Sequence, residues 1–172
     1  LSRSIVDGPR YWYSEWYSGD VRITWNINGF GAEYTSDGCE PVLVDQDTDG
    51  VEFRCRATNS SGTTERTVFI RRDATPMDTV FDETPPPLTY AQSFVISHFR
   101  FSAPGSDNLS GFARFECAPY DFEFFYQPCE SPYDISVYPS SETRRLYVRA
   151  VDAAGNVDPT PAMYEWQVRF GP

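Results

Sequence analysis

Lysine is missing from the 172 residues, so all 14 basic side chains are arginine, and His98 is the one histidine. Without lysine there is no Schiff base and no lysine-activated nucleophile, and a histidine-dependent mechanism has a single residue to run through. No Gly-x-Ser-x-Gly elbow accompanies it, and its place in an alternating stretch beside Ser97 and Phe99 makes it a solvated or cross-strand side chain. An enzyme is therefore not expected. No run of about 18 apolar residues occurs, so no membrane insertion is expected. Net positive charge is absent too: 25 Asp and Glu against 14 Arg leave −11. Such a chain has no electrostatic footprint for nucleic-acid phosphates or anionic lipid. It does not open on methionine, and Leu1 reads as the start of a mature or excised piece of a longer secreted chain.

What the sequence does have is aromatic side chains, 16% of the total, and 14 prolines. Phe, Tyr and Trp supply core rather than solvation, which argues for a folded chain. Cysteine is sparse but informative. Cys39 and Cys55 are 16 positions apart, and Cys117 and Cys129 are 12 apart. Neither spacing is that of a structural zinc site, and one histidine cannot complete two such sites. Four cysteines allow three connectivities; locality selects Cys39–Cys55 and Cys117–Cys129. Each bridge would contribute about 3 kcal/mol in the chain-entropy account, and such bridges persist in oxidising compartments. The expected location is extracellular, secreted or at the cell surface.

Period-2 alternation recurs along the chain and sustained helical periodicity does not. Val21, Ile23, Trp25 and Ile27 alternate with Arg22, Thr24 and Asn26, and Val51, Phe53, Cys55 and Ala57 with Glu52, Arg54, Arg56 and Thr58. A turn at Asn59-Ser60-Ser61-Gly62 leads to a returning strand through Thr67 and Arg71. Later, Phe99 and Phe101 flank Arg100, and Phe115 and Cys117 flank Glu116. Leu146, Val148 and Ala150 form one apolar row, and Tyr164, Trp166, Val168 and Phe170 another. One apolar and one polar face per strand predicts two sheets packed face to face. Charge followed by Pro76 sets a boundary, giving modules over 1–73 and 74–172 joined by a short, stiff linker. Pro85-Pro86-Pro87 reads as an extended edge segment.

The second half resembles the bacterial immunoglobulin-like repeats of long secreted and cell-surface proteins. The residues that carry the resemblance are Phe115-Glu116-Cys117, Gln127-Pro128-Cys129-Glu130, the stretch from Val148 through Asp152-Ala153-Ala154-Gly155-Asn156 to Ala162, and Tyr164-Glu165-Trp166-Gln167-Val168. The first half is similar to a related module at Trp16-Tyr17, Asp20 to Trp25, Gly38-Cys39, Asp47 to Gly50, Cys55-Arg56-Ala57 and Arg72 to Thr75. The resemblance implies an all-β fold of two tandem immunoglobulin-like β-sandwiches acting as spacers or adhesive modules. One departure stands out: between Cys117 and Cys129 the usual short turn is replaced by a longer aromatic insertion, Ala118 to Tyr126.

Two acidic loops, 45–50 and 152–158, are oxygen-rich enough for calcium, but hydrogen-bonded turns are the plainer reading of both. No other cofactor is expected. The aromatic cluster Tyr11-Trp12-Tyr13 with Trp16-Tyr17 could stack on a sugar ring or cap the core. Phe122, Phe124, Phe125 and Tyr126 at a hairpin tip would form an apolar patch inviting a partner. The leading expectation is a structural, stalk-forming or self-associating segment of a bacterial surface protein or filament. Its partners would be neighbouring immunoglobulin-like modules or other copies of itself, with the tip or the arm from Leu1 to Arg10 docking on the next copy. The alternative is an adhesive module holding a glycan or a surface protein through those aromatic residues.

Overall fold

Residues 3–10, 14–28, 31–105, 109–119 and 125–171 are described by the structure, a computed structural model; for residues 3–5 this means the backbone. Among them every regular element is a strand. The chain divides into two compact units, Leu1–Thr75 with Ala153–Gly155, and Pro76–Asp152 with Asn156–Pro172.

The first unit contains β1 (Arg3–Asp7), β2 (Trp16–Tyr17), β3 (Val21–Asn26), β4 (Thr35–Asp37), β5 (Val42–Val44), β6 (Thr48–Asn59) and β7 (Gly62–Arg72). They form one sheet in the order β1-β3-β5 and another in the order β2-β7-β6-β4. The alternating residues do what their period demands. Val21, Ile23 and Val44 of the smaller sheet bury against Ile70 of the larger, while Arg22, Glu52, Arg54 and Arg56 face outward. The Asn59–Gly62 turn closes the long β6–β7 hairpin, and the Asn59 carboxamide oxygen accepts the Ser61 N–H at 2.9 Å. A bulge lies between Thr48 and Val51. There a Cβ on Gly50 would lie 2.2 Å from the Phe69 ring, so only glycine fits. Part of the N-terminal arm is thus a strand of its own unit, with β1 antiparallel to β3.

The second unit contains β8 (Val80–Glu83), β9 (Leu88–Ala91), β10 (Val95–Ser102), β11 (Phe112–Pro119), β12 (Gln127–Cys129), β13 (Tyr133–Val137), β14 (Thr143–Asp152) and β15 (Ala162–Phe170). The orders are β13-β10-β8 and β12-β11-β14-β15-β9. Phe99, Phe101, Ile135 and Val137 from the smaller sheet meet Cys117, Leu146, Val148, Trp166 and Val168 from the larger in one core. Full burial of each large side chain is worth about 1.5–3 kcal/mol. Phe99 and Trp166 stack edge to face at 5.0 Å. Phe170 departs from its row and is 66% exposed, because it lies at the strand's end beyond the core.

Both units are therefore sandwiches, and they share one wiring. In each, the first strand joins the smaller sheet and the second runs parallel to the last strand of the larger. The second unit adds one strand, β12, at the far edge. Both expected disulfides are present, Cys39–Cys55 and Cys117–Cys129. Each ties the segment at that same edge of the larger sheet to a more interior strand: Cys39, just past β4, to β6, and Cys129 of β12 to β11.

Candidate functional site

The feature common to both units is the parallel ladder between an early strand and the last. In the first unit, Trp16 opposes Arg71 and Tyr17 opposes Arg72, and the Asp73 N–H extends the ladder to the Tyr17 carbonyl at 2.8 Å. In the second, Leu88 to Ala91 oppose Gln167 to Phe170. There the Gln167 N–H donates to the Pro87 carbonyl at 2.9 Å and the Gly171 N–H to Ala91 at 3.1 Å. The Tyr164 hydroxyl adds a bond to the Pro85 carbonyl at 2.7 Å. The proline run lies alongside β15, where its lack of N–H groups costs nothing.

The first ladder is short, and side chains reinforce it. Arg72, 8% exposed, reaches Asp47 with one guanidinium nitrogen and Asp20 at 2.9 Å with the other. Asp47 also accepts the Ala74 N–H at 3.0 Å and the Thr75 hydroxyl at 2.7 Å, while Asp73 accepts the Thr75 N–H at 3.2 Å. Burial acts most strongly on the Asp47 carboxyl and pushes its pKa up. Thr75, Ala74 and Arg72 together outweigh it, so the pKa lies below the ordinary 3.8. Residues 74 and 75, expected to open the second module, are thus bound to the first. Within the acidic run 45–50, weighed for calcium, Asp47 binds Arg72.

The second acidic loop is also used internally. The Asp152 carboxylate accepts the Asn156 N–H at 2.8 Å and its side-chain amide at 2.7 Å, with Gly155 at φ +93° shaping the turn. Asp158, 2% exposed, accepts the N–H groups of Thr79 at 2.9 Å and Thr160 at 2.8 Å. Among the described residues no three His, Cys, Asp or Glu side chains are grouped to hold a metal ion. His98 lies across from Asp134, Nδ1 to Oδ1 at 2.6 Å, on the outer face of the β13-β10-β8 sheet.

On the outer face of the five-stranded sheet, Glu116 binds Arg114 and Arg149, each at 2.7 Å. Burial is again the largest influence on the Glu116 carboxyl and raises its pKa, but Arg149 and Arg114 together hold it below the ordinary 4.5. The Tyr126 ring covers Arg149 at 3.8 Å, so this aromatic residue is engaged inside its own unit. Phe125 beside it is 68% exposed. Phe122 and Phe124, like Tyr11, Trp12 and Tyr13, lie outside the described residues. An open groove of about 660 Å³ runs past the second disulfide, lined by Phe112, Arg114, Phe115, Pro128, Cys129 and Glu130.

Sequence reasoning missed the ladders and the Asp47 clamp. Strands of two and four residues carry no readable period, and their partners lie far along the chain. The one local signal is the pair Arg71-Arg72 at a strand end.

No family model matches the chain, and no curated protein does. Among solved structures, the fibronectin(III)-like modules of CbhA from Clostridium thermocellum align over 98% of this chain and 95% of theirs, at 13% identity and a TM-score of 0.47. The extracellular domain of a one-component system from B. thetaiotaomicron aligns over 90% of this chain but 29% of its own, at 8% identity and 0.42. The four N-terminal immunoglobulin domains of Dscam1 align over 91% and 42%, at 11% identity and 0.39. This chain spans less than half the length of the latter two. The all-β, two-sandwich architecture rests on the sheets and cores of the two units themselves.

Proposed function

We propose that the chain is a tension-bearing, stalk-forming segment of an extracellular protein, in the setting of a bacterial surface protein or filament. The observation that supports this reading is the parallel pairing of an early strand with the last strand in both units. Parallel neighbours begin at the same end of their ladder. The chain therefore enters each ladder at one end and leaves it at the other. Force along the chain slides the two strands past each other and loads all their hydrogen bonds together. An antiparallel hairpin pulled by its ends opens one pair at a time. Two disulfides at corresponding edges fit an oxidising, extracellular setting, and neighbouring modules are the partners such a segment would have.

Single-molecule pulling on Gln167→Pro tests the reading. That change removes the N–H that bonds Pro87, on the side of β15 away from β14. The unfolding force of the second unit should fall, whereas Gln167→Ala, which keeps the N–H, should leave it near wild type. Equal forces in both variants would sink the proposal.

A second reading, an adhesive module, is favoured by the groove beside Cys129 and by the exposed Phe125. A glycan array and a pull-down with Phe125→Ser as control test it; binding that survives the substitution would remove Phe125 from the contact.

A further inference from the structure

Residues 73–79 carry the chain out of the first unit and into the second, and an aspartate holds each end of this stretch. At the first end, Asp47 accepts the Ala74 N–H at 3.0 Å and the Thr75 hydroxyl at 2.7 Å. The Asp73 N–H just before them lies in the parallel ladder, on the Tyr17 carbonyl at 2.8 Å. All of these groups belong to the first unit.

At the other end, Asp158 accepts the Thr79 N–H at 2.9 Å, and the Thr79 hydroxyl oxygen accepts the Ala150 N–H at 2.8 Å. Asp158 is itself fixed. Its N–H donates to the Ala150 carbonyl at 3.0 Å, and its carboxylate accepts the Thr160 N–H and hydroxyl at 2.8 and 3.1 Å. These groups all belong to the second unit. Pro76, Met77 and Asp78 lie between the two pins, about 10 Å of fully extended chain.

The pins differ in their surroundings. Asp158, Thr79 and Ala150 are all buried, so breaking their bonds strands polar groups at the full cost of desolvation. The Asp47 side chain is 25% exposed and Thr75 lies at the surface. There water takes the partner's place, and the net loss per bond is small. Letting go of Ala74 and Thr75 also leaves Asp47 paired with Arg72, so neither charge is left alone.

We propose that residues 73–79 form a strap with two unequal pins, of which the Asp47 pin gives way first. Its release adds Ala74 and Thr75 to the stretch between the pins, which grows to residues 74–78, about 17 Å when extended. The Asp73 N–H stays in its ladder and the Asp158 pin stays closed. The strap therefore yields slack from the first unit's side before any strand is disturbed. This inference does not depend on the tension-bearing reading, because it concerns which bonds open first in the unloaded molecule.

The test is residue-by-residue amide hydrogen exchange on the full chain, which reads local opening. In wild type the Ala74 N–H should be protected roughly tenfold less than the N–H groups of Asp73 and Thr79. Thr75→Val removes one bond from the Asp47 pin, nearly keeps the side chain's volume, and touches neither Arg72 nor the ladder. It should speed Ala74 exchange about fivefold and leave Asp73 and Thr79 as they are. Ala74 and Asp73 exchanging together would mean that the end of β7 opens as one piece, which overturns the proposal. So would Thr79 exchanging faster than Ala74, or Thr75→Val leaving Ala74 unchanged.

Discussion

The two units solve one topology with different materials. The second packs nine buried residues into a continuous core, Trp166 and Phe99 among them, and its parallel ladder runs over four residue pairs. The first has four buried core residues and a ladder of two pairs. It compensates with a polar clamp in which Arg72, Asp47 and Asp20 hold the end of β7 and the two residues beyond it. The lesson is that a shared strand order does not imply a shared source of stability. The core of one unit leans on burial, whereas the other leans more heavily on a charge cluster.

The comparison can be broken at several points. Trp166→Ala removes the largest fully buried side chain and should cost about 3–5 kcal/mol. In urea denaturation followed by circular dichroism, the second unit should then unfold early while the transition of the first stays in place. Cys39→Ser with Cys55→Ser should cost the first unit about 3 kcal/mol, read as a shift of its transition alone. Asp47→Ala should cost the first unit about 2 kcal/mol, because Arg72, 10% exposed in its side chain, keeps Asp20 but loses its other anion. If the second unit's transition moved as far as the first's, the assignment of the clamp would be wrong. Glu116→Gln should cost about 0.5–1 kcal/mol, since Arg149 and Arg114 are 28% and 38% exposed and stay solvated without it.

Each unit also has one carboxyl that ties its stability to pH. Both carboxyls have folded-state pKa values below their ordinary ones, so each contributes stability at neutral pH that is lost as pH falls through the lowered value. Loss begins below about 4.5 for Glu116 and below about 3.8 for Asp47. Asp47→Asn should flatten the acid sensitivity of the first unit in a melting series from pH 6 to 3. An unchanged slope would show that other carboxylates govern it.

Much of the architecture was legible in the sequence because long strands repeat their signal. β6, β14 and most of β15 bury the residues their alternation predicts, and Asn59 to Gly62 announces its turn. Locality found both disulfides. What stayed hidden is non-local or too short to have a period. β2 and β9 are strands because of what they lie beside, not because of what they contain. Asp47 looks like part of a solvated acidic turn until the fold brings Arg72 to it, 25 positions away. Tyr126 reads as a tip residue open to a partner until Arg149 is found beneath its ring.

Whether the parallel ladders carry load is tested most directly by pulling one molecule in two directions. Handles at the chain ends load the β9–β15 ladder in shear. Handles at Leu88 and Gln167, which face each other across it, peel it open pair by pair. The account predicts discrete, high-force unfolding of the second unit in the first geometry and a severalfold lower force in the second. Equal forces in the two geometries would contradict it.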